Sequence, residues 1–157
     1  MSETIASRLS ALGHRLPAAS APAANYVSTV RTGNLLVVSG QISTRNGVVL
    51  TGVVGAGVSV EEGRVAAECA AISVLSQIGA ATGGALTAVR RVVRLGVYIA
   101  SAPDFAKQSE VANGASDLVV GVFGEAGRHA RAAVGVAALP AGATVEIEAL
   151  VELEPEA

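Results

Sequence analysis

An α+β domain, a mixed β-sheet with two main helices packed on one face, follows from three features of the 157-residue chain. Apolar segments with strand character alternate with two long stretches of helical periodicity. The chain opens on one strand pair and closes on another, so its connections are not all parallel crossovers. Hydrophobic residues make up 51% and charged residues 15%, which suffices to bury one core of ordinary domain size and excludes disorder.

Ile5, Leu9 and Leu12 recur at helical spacing and predict a short amphipathic helix over residues 4–12. Residues 17–24 are rich in Ala, Ser and Pro and read as an extended connection. Residues 1–24 therefore form an extension with a short helix, ahead of a single domain over 25–153. Strands are expected over 25–31 and 34–42, joined as a hairpin near Thr32-Gly33. The second, LLVVSGQI, is apolar on both faces, as a strand buried on both sides should be. Arg45-Asn46-Gly47 reads as a turn, and residues 48–57 as a short edge strand.

Ser59 and Glu62 match the capping box, in which the Ser accepts from a backbone N–H and the Glu reaches back. Behind them Val65, Cys69, Ile72, Leu75 and Ile78 fall on one helical face, until Gly83-Gly84 ends the helix. Residues 90–100 alternate as a strand, with Val93, Leu95, Val97 and Ile99 on one side. Asp104 is expected to cap a second helix reaching Phe123, ended by Gly124 and Gly127. Strands over 131–138 and 144–153 then close the chain as a hairpin through Leu139-Pro140-Ala141-Gly142.

Composition excludes several partners. The net charge is −2 and aromatics are 3%, so neither a basic tract nor stacking rings are on offer to nucleic acid. One Cys excludes an internal disulfide, and two His with that Cys do not complete an ordinary His/Cys metal site. No metal or cofactor is expected. Glu3 precedes any basic residue, and Arg8, His14 and Arg15 interrupt the N-terminal apolar stretch, against export. The uncharged window 69–89 is interrupted by Ser73, Ser76, Gln77 and Thr82 and broken by Gly83-Gly84, against a membrane span. A reducing cytoplasm is the expected location. Basic residues that are nearly all Arg, with abundant Ala, point to a GC-rich bacterial genome.

Because charge is sparse, ionisable residues set in apolar strands are informative. Arg131 precedes AAVGVAAL, while Glu146 and Glu148 interrupt TVEIEALVEL. Surface alternation explains the second run, with Val145, Ile147 and Ala149 inward and Glu146, Glu148 and Glu152 in water. A functional pairing explains it too. Arg offers a planar fork of donors that fits a carboxylate, and a nearby Glu can position and deprotonate water.

The run from His129-Ala130-Arg131 to Leu139-Pro140, followed by Val145-Glu146-Ile147-Glu148-Ala149, resembles the C-terminal signature of the RidA/YjgF family. Val38-Ser39-Gly40-Gln41 looks like the family's Ser-Gly-Gln strand, Tyr26 stands about where the family places a pocket Tyr, and Asp104-Phe105 and Asn113 resemble its second-helix region. The resemblance spans residues 25–152. It implies a chorismate-mutase-like fold, assembled as a homotrimer with clefts between subunits. It also implies hydrolysis of enamine/imine metabolites such as 2-aminoacrylate to 2-oxo acids and ammonia, without metal or cofactor. In that picture Arg131 binds the substrate carboxylate, Glu146 helps position the attacking water, and Tyr26, Gly40 and Asn113 line the pocket. His129 replaces the family's usual Pro, Ala133 replaces a common pocket Cys, and the extension is additional, which marks a divergent branch. A non-catalytic trimer that binds small carboxylates is the alternative. The family's ribonuclease label is a third reading, opposed by the acidic balance and the scarcity of rings.

A regular final hairpin centred near Ala141 would set Arg131 across from Val151. Glu146 would then lie five positions away, on the order of 16 Å along the strand, and on the opposite face. One chain would not aim both at a small substrate, so the expected pocket takes Arg131 from one subunit and Glu146 from another. His129, two residues before Arg131, shares its face and reads as a proton donor or ligand contact, or else as a solvated turn residue. Cys69 reads as core packing rather than a reactive thiol. Arg90, Arg91 and Arg94 read as a strand end paired with acidic neighbours.

Overall fold

Local chemistry begins each of the first two helices. The structure, a computed structural model, describes residues 2–157. Thr4 caps α1 (Ile5–Ala11) by accepting from the Ser7 N–H at 3.0 Å, and Ser7 Oγ accepts from the Thr4 N–H at 2.9 Å. Ile5 and Leu9 are wholly buried in the central core, so the N-terminal helix packs as part of the domain. After a connection without regular structure come β1 (Thr29–Thr32) and β2 (Leu35–Ile42), the expected hairpin, although the first strand begins only at Thr29. Asn46 and Gly47, with φ of 51° and 77°, turn the two-residue hairpin between β3 (Thr44–Arg45) and β4 (Val48–Val49). The edge strand expected over 48–57 is instead divided among β4, β5 (Val53–Val54) and β6 (Gly57–Val58), none of which joins the main sheet.

The Ser59 N–H donates to Glu62 Oε2 at 2.7 Å and the Glu62 N–H to Ser59 Oγ at 3.1 Å, opening α2 (Val60–Thr82). Gly83, at φ 75°, ends it. The buried stripe of α2 is mostly Ala, through Ala66, Ala67, Ala70 and Ala71, then Val74, Leu75 and Ile78. Of the residues expected on the inner face, Val65 is exposed and Ile72 is only partly buried against the core, because the stripe that faces the sheet runs through the alanines instead. β7 (Val89–Ala100) carries Leu95, Val97 and Ile99 inward as expected. A register shift between Val92 and Arg94 sends Val92, not Val93, into the core. α3 (Gln108–Phe123) begins after Lys107 with no side-chain cap, so Asp104, exposed in the preceding loop, does not start it.

β8 (Ala130–Val136) and β9 (Val145–Leu153) complete a five-stranded sheet of order β1-β2-β9-β7-β8. Only β7 and β8 run parallel, so the sheet is mixed, and α2 and α3 cover one face. The final hairpin does not form. β7 lies between β8 and β9, and the Leu139–Gly142 segment carries the chain across it instead of folding one strand onto the other. β2 is not buried on both sides either. Leu36 and Val38 enter the core, while Leu35 and Val37 are exposed on the uncovered face.

Candidate functional site

The sheet register decides which face each candidate occupies. Arg131 lies beside Leu95, which lies beside Ala149, and both neighbours are buried under the helices. Glu146 lies beside Tyr98, on the uncovered face. Arg131 and Glu146 therefore point to opposite faces, as the parity argument expected, but through one parallel and one antiparallel pairing with β7 rather than a hairpin.

On the helical face, α3 meets Arg131 with Asn113 and Ser116, three residues apart and hence on one side of the helix. Arg131 Nη1 donates to Asn113 Oδ1 at 2.9 Å and to Ser116 Oγ at 3.1 Å, and Nη2 donates to the Ser109 carbonyl at 3.4 Å. Among the described residues no hydrogen bond engages its Nε. The Nε–Nη2 edge, with two parallel donors, can thus accept a carboxylate in a bidentate pair. His129 stands alongside, its Nδ1 2.6 Å from the Gly127 carbonyl and its Nε2 2.9 Å from Ser116 Oγ. Burial above all, with Arg131 adding to it, lowers the imidazole pKa below its ordinary value despite the Gly127 bond. These side chains, with Asp117 and Arg128, border a groove of about 630 Å3.

A second groove, about 1000 Å3, gathers Glu146, Gly40 and Tyr26, walled by the 13–23 connection and by α2. Gly40 is needed here: a Cβ on it would collide with Glu146 Oε1. Burial, and then the neighbouring Glu148 charge, raise the Glu146 pKa above the usual carboxylate value, the direction a general base near neutral pH requires. Glu148 itself accepts from the Tyr98 hydroxyl at 2.8 Å and from Arg94 Nη1 at 3.3 Å. Arg90 meets Glu152 at 3.9 Å, so two of the three clustered arginines have the acidic neighbours expected of them. Cys69 is buried, with its thiol pKa raised by that burial. Among the described residues no three His, Cys, Asp or Glu side chains gather as a metal site.

The sequence matches the family model described as Endoribonuclease L-PSP over residues 17–153. The chain belongs to that family, the RidA/YjgF family of the sequence resemblance. Protein TCP17 of Trypanosoma cruzi is 56% identical over 151 residues, covering 95% of this chain and 94% of that one. Atu1372 of Agrobacterium tumefaciens, described as of unknown function, is 49% identical, with a TM-score of 0.90 over 96% of this chain and 92% of its own. E. coli TdcF with bound serine, 20% identical, shares the fold at a TM-score of 0.62 over 98% of each chain.

In this L-PSP family chain the six singled-out residues fall into two sets. Arg131, Asn113 and His129 meet under α3, whereas Glu146, Gly40 and Tyr26 meet in the other groove. Sequence reasoning missed Ser116, whose signal was its spacing from Asn113 on one helix. It also missed Tyr98, which alternation in β7 sets on the face of Arg94.

Proposed function

We propose that the protein hydrolyses carboxylate-bearing enamine/imine metabolites to 2-oxo acids and ammonia, in clefts completed by a neighbouring subunit of a homotrimer. The observation that carries this reading is the placement of Arg131 and Glu146 on opposite faces of the sheet, where a single chain cannot bring both to one small substrate. The Nε–Nη2 edge of Arg131 holds the substrate carboxylate. Glu146, from the adjoining chain, accepts a proton from water as the water oxygen bonds to the imine carbon and the imine nitrogen gains a proton. The resulting carbinolamine expels ammonia as its hydroxyl becomes the carbonyl. An enamine first becomes the imine by moving a proton from nitrogen to its terminal carbon. An imine carbon is already electrophilic, so orientation and one base supply the catalysis. The serine held by TdcF, a small amino acid with a carboxylate, supports this substrate class.

The test is pyruvate formation from 2-aminoacrylate generated in situ. Wild type should exceed the spontaneous rate. Arg131→Ala removes a charge-assisted pair and should lower kcat/KM about tenfold to a hundredfold. Glu146→Ala removes the base and should cost about a hundredfold or more. Turnover indifferent to both replacements would reject the assignment. Binding of 2-oxo acids without turnover would favour a carboxylate-binding protein, and RNA cleavage lost with Arg131→Ala would favour a ribonuclease.

A further inference from the structure

We propose that Ser116 and His129 are positioning residues, a hydrogen-bonded relay from the Gly127 carbonyl that sets the orientation of the Arg131 guanidinium. The inference rests on the reading of Arg131 as the carboxylate anchor and adds what holds that anchor in place.

The polarity of the relay is fixed at its first link. A carbonyl oxygen only accepts, so His129 Nδ1, 2.6 Å from the Gly127 oxygen, carries the proton. Nε2 of the neutral ring then holds a lone pair, and at 2.9 Å it accepts the Ser116 hydroxyl proton. With that proton committed, the Oγ lone pairs are left for Arg131 Nη1 at 3.1 Å. Asn113 Oδ1 takes the other Nη1 hydrogen at 2.9 Å. Both Nη1 hydrogens are thereby used and Nη2 gives one to the Ser109 carbonyl, which locks the guanidinium with Nε and the other Nη2 hydrogen left for a ligand. Both ring nitrogens of His129 are engaged inside the chain, one on Gly127 and one on Ser116.

The first link is itself rigid. Gly127 is buried, and a Cβ there would stand 2.5 Å from the Val119 carbonyl oxygen, so the turn that presents its carbonyl is pressed onto α3. The charges around His129 are set by three elements. Arg131 projects from β8; Arg128 and Glu125 pair with each other at 3.0 Å on the preceding turn; and Asp117 of α3 is held at 3.4 Å by Arg64 from α2. Burial and the Arg131 charge disfavour imidazolium, which keeps Nε2 an acceptor at neutral pH.

Imidazole nitrogen NMR on the wild-type protein reads the relay without substrate. It should show His129 with Nδ1 protonated and Nε2 bare at neutral pH, and Arg131 with distinct, slowly exchanging Nη signals that merge in Ser116→Ala. With 2-aminoacrylate, Ser116→Ala and His129→Ala should each raise KM about threefold to tenfold and leave kcat within about twofold, the effect of one mis-set hydrogen bond. Ser116→Thr, which keeps the hydroxyl, should restore KM. An Nε2-protonated ring, or unchanged KM in both folded Ala variants, overturns the proposal. Where wild type shows no turnover, the imine chemistry fails, and pyruvate affinity by calorimetry takes the place of KM. Weaker binding by the two Ala variants then supports the relay, and equal binding rejects it.

Discussion

Glu146 occupies a position where two effects act in the same direction. Burial raises its pKa most, and the charge of Glu148 on the same face adds to the rise. A general base works only when ionised, so a raised pKa moves the acid limb of kcat/KM up the pH axis, above the range of an ordinary carboxylate. Glu148→Gln removes the like charge but not the burial. The limb should therefore move to lower pH while remaining above where an exposed Glu would titrate. A pH–rate profile of wild type against Glu148→Gln checks this, and an unmoved limb would assign the titration to another group. Gly40 makes the arrangement possible, since any larger residue would push the carboxylate away from its neighbours.

At the scale of elements, the contact between α2 and α3 depends on Gly114. A Cβ there would collide with the Arg64 carbonyl oxygen, which is backbone and cannot turn aside. The same Arg64 also ties the helices through its side chain, donating to the Glu110 carbonyl at 3.0 Å. Gly114→Ala should destabilise the fold by about 1–3 kcal/mol, the usual cost of overpacking, read as a lower urea midpoint with an unchanged slope. It should also disturb the Asn113–Arg131 bond on the same turn. What was legible in the sequence was local in origin: the Ser59–Glu62 cap, the Asn46-Gly47 turn and the Gly83 stop each depend on residues a few positions apart. The closing hairpin was misread because Leu139-Pro140-Ala141-Gly142 is a plausible turn, and nothing local reveals that β7 inserts between the strands it joins. The register shift near Val93 was hidden for the same reason. Opposite faces for Arg131 and Glu146 nonetheless emerged from parity, which survives the change of partner because the β9 residue level with Arg131 is Ala149 rather than Val151, an even displacement. Ser116 was overlooked because a hydroxyl on an apolar helix is ordinary until the strand beneath it is known to carry an Arg.

The uncovered sheet face gives the whole molecule its unfinished character. Val30, Leu35, Val37 and Val134 are exposed on it, 39–50% each, around the Arg94–Glu148–Tyr98 network. Apolar strand residues left in water in this way favour association, and the proposed homotrimer would cover them while bringing the groove of Glu146 on one chain against that of Arg131 on the next. A closed assembly of this kind makes a sharp prediction about mixtures. Co-expressed Arg131→Ala and Glu146→Ala chains, each strongly impaired alone, should assemble into mixed trimers in which some clefts receive an intact Arg131 from one protomer and an intact Glu146 from its neighbour. Random assembly from equal amounts yields about one quarter of such clefts, so the mixture should recover about that fraction of wild-type pyruvate formation. The size of the assembly is read independently by sedimentation. Mixed trimers with no recovery would mean that both groups serve the same chain by some route other than the sheet geometry, and wild-type monomers would leave the carboxylate anchor and the base on opposite sides of one sheet with no shared substrate between them.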